Sequence, residues 1–253
     1  YDVTYYMKNT DLSGCEIRFS NQGWLLVSQG PRSMFFFEPF TKTRIQLPDL
    51  LVDYCFDGIS FSASPTSSNW VIFGISFIRP EGIAAFFIQA GDKTWTSDVL
   101  VNEKPFVPSH GNLVFYGQGF YCLGQDGRLG IFELVETDYS WHICSEPQSS
   151  RFLSTAFQSF LVPFREELLS VYLTCMGKSV HVFKLDISKM DWVEVDGLDY
   201  HMLFLSQTST LAIKAMEETL KNTIFFPIFN STNNNVFYSF ETGRYRTFGG
   251  KYI

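Results

Sequence analysis

The sequence predicts an all-β chain folded as a β-propeller of four-stranded blades, and three observations carry that prediction. Aromatic residues make up 17% of the 253 residues, and Phe alone occurs 27 times. Such a composition suits pleated, half-buried surfaces better than helices. Short runs of Phe, Ile, Val, Tyr and Trp recur along the chain, broken by Gly, Pro, Asn, Asp and Ser, which is the pattern of strands punctuated by turns. A strand-opening pattern centred on a large residue returns at Arg44, Trp95, Trp141, Trp192 and Tyr245, with gaps of 51, 46, 51 and 53 residues. That period is close to the roughly 40–50 residues of a propeller blade. One twisted sheet cannot bury both of its apolar faces alone, whereas radial packing of several sheets covers both. Seven blades and a β-sandwich are the alternative architectures.

Each unit divides into four strands. The first blade is predicted over residues 15–47, with strands at 15–20, 23–28, 34–40 and 43–47. Its run Met34-Phe35-Phe36-Phe37 is continuously apolar, as expected of a sheet covered on both faces. The second blade, 59–98, takes strands at 59–63, 69–78, 83–89 and 94–98. The third, 112–145, takes 112–116, 119–123, 128–134 and 140–145, and its Asp126-Gly127 pair is a strong hairpin signal. The fourth, 159–195, takes 159–164, 167–174, 179–186 and 191–195. The fifth, 201–248, takes 201–206, 222–228, 235–240 and 244–248, with Glu241-Thr242-Gly243 as its last turn. Helical composition is confined to Lys214-Ala215-Met216-Glu217-Glu218-Thr219-Leu220-Lys221, with Asn222 as its C-terminal cap. Residues 1–7 read as the final strand of a further blade whose other strands lie upstream. The expectation is therefore one propeller domain over 1–253, with six blades in the intact protein and the first incomplete. Either the edge of residues 1–7 is expected to lie unpaired or a gap is expected beside the fifth complete unit.

Composition excludes several function classes. Lys and Arg number 19 against 26 Asp and Glu, a net charge of −7. Nucleic acid and anionic membrane both require a basic footprint, so neither is expected as a partner. The apolar runs at 71–78 and 83–88 are far shorter than the roughly 18 residues of a membrane span. Cys15, Cys55, Cys122, Cys144 and Cys175 are odd in number and scattered, with no CxxC. That pattern suits reduced thiols in the cytoplasm or nucleus.

Catalytic, metal and cofactor motifs are not expected either. No GxSxG elbow is present. His142 and Cys144 sit two apart on one predicted strand and so share a side, but a packed strand pair explains them better than a nucleophile and its base. His110, His142, His181 and His201 form no HxH or HExxH pattern. Gly249-Gly250-Lys251 lacks the remainder of a P-loop, and Glu166-Glu167 is a turn corner rather than a pair of opposed carboxyls. Asn230-Ser231-Thr232 matches a glycosylation sequon that a reducing compartment would leave unused. The recurring Trp95, Trp141 and Trp192 are expected to pack between blades.

Function on a rigid propeller is expected in its loops. The turns between second and third strands fall on one face of the disc. Four of them carry a cation: Arg32, Arg79, Arg128 and Lys178. In an otherwise acidic chain these four are the candidate partner-binding residues, suited to an acidic or phosphorylated protein client.

Several stretches carry a family resemblance. They are Gly23-Trp24-Leu25-Leu26-Val27, Phe37-Glu38-Pro39-Phe40-Thr41, Gln46-Leu47-Pro48-Asp49-Leu50, Phe61-Ser62-Ala63-Ser64-Pro65-Thr66-Ser67-Ser68 and Gly91-Asp92-Lys93-Thr94-Trp95. With them belong Gly119-Phe120-Tyr121-Cys122-Leu123, Gly127-Arg128-Leu129 and Phe237-Tyr238-Ser239-Phe240-Glu241-Thr242. Together they resemble the plant F-box/kelch-repeat proteins with an F-box-associated β-propeller. In that family an upstream F-box docks a Skp-type adaptor of a cullin–RING ubiquitin ligase, and the propeller is thought to select the substrate. The F-box itself is absent from these 253 residues. The resemblance thus implies a non-enzymatic, substrate-recognising propeller in the ubiquitin pathway. A small-molecule receptor or cryptic enzyme using the central channel is the alternative.

Overall fold

A computed structural model describes residues 12–53, 55–136, 138–144, 147, 156–174, 179–229 and 235–247. Residues 1–7, read above as a blade remnant, lie outside that set. The described chain forms five small sheets. The first holds β1 (Glu16–Asn21), β2 (Trp24–Gln29), β3 (Ser33–Glu38) and β4 (Thr43–Gln46) in sequence order. The second holds β5 (Gly58–Phe61), β6 (Val71–Arg79), β7 (Gly82–Gln89) and β8 (Thr96–Val101). The third holds β9 (Pro108–Tyr116), β10 (Gly119–Gly124), β11 (Leu129–Val135) and β12 (Asp138–Ile143). The fourth holds β13 (Ala156–Phe164), β14 (Glu167–Thr174), β15 (Val180–Asp186) and β16 (Asp191–Glu194). All four are antiparallel meanders, close to the predicted boundaries.

The fifth sheet departs from this pattern. It contains β17 (His201–Ser206), β18 (Ser209–Lys214), β19 (Thr223–Phe226), β20 (Val236–Ser239) and β21 (Arg244–Thr247), in the order β18-β17-β19-β20-β21. The β17–β18 hairpin is antiparallel, with Leu203 opposite Ala212, whereas β17 and β19 run parallel. The predicted helix is corrected to a single 3-10 turn at Glu218–Leu220. Lys214 already belongs to β18, the Ala215 N–H donates to the Tyr200 carbonyl at 2.8 Å, and the Asn222 N–H donates to the His201 carbonyl at 2.8 Å. Held at both ends along the sheet, the segment has too few residues left for α-helical turns. Asn222 adopts φ +55°, and its side-chain oxygen accepts the Leu198 N–H at 2.7 Å.

One strand from each sheet lines the axis, in the cyclic order β1, β5, β9, β13, β18. The ring closes between the fifth sheet and the first. There the Ser20 N–H donates to the Thr208 carbonyl at 3.0 Å, and the Ser209 hydroxyl donates to the Ser20 carbonyl at 3.2 Å. On the other side of β18 the Thr210 hydroxyl donates to the Leu161 carbonyl at 2.8 Å. The gap expected as one outcome beside the fifth unit is thus corrected, since β18 lies there, and the other outcome, an unpaired edge at residues 1–7, lies outside the described residues. The expected six blades give way to five sheets among the described residues.

The core lies between blades. Four apolar clusters each bridge neighbouring sheets: first with second, second with third, third with fourth, and fourth with fifth. Trp95 and Trp192 are each 4% exposed, and Trp141 packs against the cluster between the second and third sheets. Each indole N–H satisfies itself on a neighbouring segment. Trp95 donates to the Pro48 carbonyl, Trp141 to the Asn102 side-chain oxygen and Trp192 to the Gly127 carbonyl, all at 2.8 Å. Blade-to-blade packing is the role the sequence assigned them. No helix among the described residues is long and apolar enough to cross a membrane.

Candidate partner-binding face

Antiparallel order fixes which turns share an end of each sheet. The turns from second to third strand lie at the end from which the chain departs for the next blade. Backbone bonds staple the two together. The Leu50 N–H donates to the Arg32 carbonyl at 3.0 Å, Phe106 to Pro80 at 2.8 Å, Asn102 to Glu81 at 2.9 Å and Gln125 to Val107 at 2.9 Å. This end presents turns and linkers together on a rigid base.

Three of the four predicted cations can be placed there, and Lys178 lies outside the described residues. Arg32, in the β2–β3 turn, is ion-paired through its Nε with Asp53 of the following linker. Arg128, at the β10–β11 turn, pairs with Asp126 at 2.7 Å and is only 17% exposed at its side chain. Arg79 ends β6 and is exposed. Two of the guanidiniums therefore already hold a carboxylate, which the spacing of charges in the sequence could not reveal for a partner 21 residues away. The sequon at 230–232 lies outside the described residues. Cys144 is half-buried, and burial pushes its thiol up to about 11 against a smaller opposing pull from Lys104. That shift keeps it protonated near neutral pH and works against a nucleophilic role. Glu167 is held by Lys184 at 3.1 Å.

The sequence missed a polar cleft on the axis. It opens where the inner strands begin, at the same end as these turns, and encloses about 460 Å³ counting the space open to solvent. Glu16 and Arg18 of β1, Asp57 before β5, His110 of β9 and Gln207 of the β17–β18 turn contribute its polar groups. Arg18 donates to Glu16 at 2.8 Å and to the Ser28 hydroxyl at 2.8 Å. Asp57 accepts the Phe77 N–H at 2.6 Å and lies 3.7 Å from His110 Nδ1. Ile17, Phe56 and Ile59 form an apolar wall. Gly111 has φ +76°, and a Cβ there would stand 2.7 Å from the Gln207 carbonyl oxygen. Glycine is thus what lets the third sheet approach the fifth beside the cleft. These groups come from segments as far apart as Glu16 and Gln207 and meet only when the ring closes, so no local motif could mark them.

Comparison with known proteins agrees with this architecture. Residues 2–246 match the profile of the family described as KIB1-4 beta-propeller. An F-box/kelch-repeat protein of Arabidopsis thaliana is 32% identical over 239 residues, covering 92% of this chain and 67% of the relative. An F-box protein of the same plant is 27% identical over 94% of this chain and 62% of its own length. A second F-box/kelch-repeat protein from that plant is 25% identical over 88% of this chain and 60% of its own length. This chain accordingly spans about two thirds or less of these relatives. With its five-sheet ring and a profile match along nearly its whole length, the chain belongs to the KIB1-4 β-propeller family of plant F-box and F-box/kelch-repeat proteins.

Proposed function

We propose that this chain is the client-binding propeller of an SCF-type ubiquitin ligase receptor, acting without chemistry of its own. The observation that carries this reading is the family itself, whose matched relatives are named F-box proteins and extend well beyond the propeller. In this reading an F-box tethers the propeller to a Skp-type adaptor while one face holds a protein client. Ubiquitin transfer is then favoured by raised effective concentration rather than by a catalytic residue. The client docks on the face where blade linkers and second-to-third-strand turns meet, in the cytoplasm or nucleus. Arg32, Arg79, Arg128 and Lys178 give it a preference for acidic or phosphorylated segments, tempered by the Asp53 and Asp126 pairings. The test is capture of a Skp-type adaptor by the full-length protein. Retention of the adaptor supports the reading, and its absence sinks it. The polar axial cleft is the one observation that favours the alternative, a small-molecule receptor. Neutral small ligands binding there in preference to protein segments would favour that alternative.

A further inference from the structure

We infer that the axial cleft is a subsite for a basic side chain, Lys or Arg, of the protein client. The inference rests on the client-binding reading of this face and assigns part of that client's chemistry.

The cleft's chemistry selects the sign of its occupant. Two carboxylates line it, Glu16 and Asp57, at 64% and 36% side-chain exposure. Two basic residues share the lining: Arg18 is only 19% exposed, with its guanidinium already spent on Glu16 and the Ser28 hydroxyl, and His110 stands 3.7 Å from Asp57 and counts as a cation only when protonated. An incoming anion would meet two carboxylates and find that guanidinium engaged. An incoming cation meets carboxylate oxygens and the carbonyl-bearing β17–β18 turn. Low-dielectric walls concentrate such a field.

The apolar wall narrows the occupant further. Ile17, Phe56 and Ile59 stand beside the carboxylates. Lys and Arg are the side chains that combine an aliphatic stem with a charged head, and they bury the stem along apolar surface while the head stays polar. A small inorganic cation would leave that wall unused. Glu16 is 64% exposed at its side chain, so an incoming guanidinium can share its carboxylate with Arg18, which also holds the Ser28 hydroxyl. The cleft opens at the axis of the proposed docking face, where a segment crossing the disc would pass.

The experiment titrates the full-length protein with Nα-acetyl-arginine-N-methylamide, its lysine counterpart, and the uncharged citrulline and acidic glutamate counterparts, following the backbone amide resonances of Gly58 and Gly111. The arginine or lysine probe should shift these resonances saturably in the parent, and citrulline and glutamate should not. Glu16→Gln and Asp57→Asn should each weaken the basic probe at least threefold, and together at least tenfold, with unchanged thermal melting showing intact rings. Citrulline or glutamate binding as well as arginine, or no saturable shift with any probe, overturns the inference. The parent-only comparison of arginine with citrulline decides the matter even where a variant fails to fold. Adaptor capture is scored separately. Adaptor binding without probe binding removes the cleft assignment and leaves the receptor reading. Probe binding without adaptor binding does the reverse.

Discussion

At the residue scale, the interblade tryptophans are the sharpest stability test. Trp192 is buried in the seam between the third and fourth sheets and donates to the Gly127 carbonyl. Trp192→Ala should cost about 3–5 kcal/mol, as large core truncations do, read as a lower denaturant midpoint at unchanged slope. The tryptophan position was legible because it recurs in three successive units, at Trp95, Trp141 and Trp192. Its complement was not. A Cβ on Gly130 would stand 2.2 Å from the Trp141 ring, so Gly130→Ala should destabilise by about 1–3 kcal/mol through overpacking. An unchanged midpoint would mean that the ring has room to move. Nothing in the sequence around Gly130 announces this, since Trp141 reaches it from the next strand. Thiol chemistry offers a test by pH. Cys55 is exposed, Cys144 is half-buried with its thiol raised to about 11, and Cys122 is fully buried with its thiol raised further by burial. A raised pKa lowers the thiolate fraction, so at pH 8 about one Cys144 in a thousand is reactive. Iodoacetamide should label Cys55 first, Cys144 at a rate rising about tenfold per pH unit, and Cys122 only on unfolding. Rapid Cys144 labelling at pH 7 would contradict the burial seen here.

At the element scale, β18 decides whether the ring is closed. It pairs with β17 of its own sheet and lies in the inner ring between β13 and β1, which it meets on opposite sides. In a strand, successive N–H groups point to opposite edges, so of Leu211 and Ala212 one must donate toward β17. Leu211→Pro and Ala212→Pro therefore form a pair in which one variant should lose about 3 kcal/mol or more. Hydrogen exchange in β1 and β13 should rise with it. If both variants match the parent, β18 is not the closing strand. The sequence made the first four sheets legible because apolar runs alternate with turn residues at a steady period, and Gly127 and Gly243 take the positive φ of 83° and 62° that their turns were expected to need. The fifth sheet resisted for two physical reasons. Ser209-Thr210-Leu211-Ala212-Ile213-Lys214 is largely half-exposed, with no strong apolar face, and it runs straight into residues of high helical propensity. The parallel β17–β19 pairing joins strands separated by a hairpin and a 3-10 turn, an order that no local pattern encodes. The expected gap has a different origin, the reading of residues 1–7 as the end of a blade whose inner strands lie upstream, and it does not open because β18 lies against β1 and β13.

At the scale of the whole molecule, a net charge of −7 surrounds a face whose cations are partly neutralised, and this makes charge variants informative in both directions. Arg32 and Arg128 each lean on an aspartate, Asp53 and Asp126. A client carboxylate or phosphate must compete with that aspartate for the guanidinium fork. Reversing Arg32, Arg79 and Arg128 to Glu together should abolish most binding of an acidic or phosphorylated client. Asp53→Asn with Asp126→Asn should strengthen it, because the forks are released without being moved. The stability cost should stay within about 1 kcal/mol for the exposed Arg32–Asp53 pair and be larger for Arg128, whose side chain is only 17% exposed, and melting curves separate changes in folding from changes in binding. Added salt should weaken client binding in the parent and weaken it less in the arginine reversal, since screened long-range attraction has already been removed there. The measurement is client affinity by titration across a salt series for the parent and both variants. The aspartate variants binding more weakly than the parent would show that the pairs position the turns rather than compete with the client. Equal affinity in all three at every salt concentration would end the case for a cationic rim and leave the axial cleft to account for charge selectivity on this face.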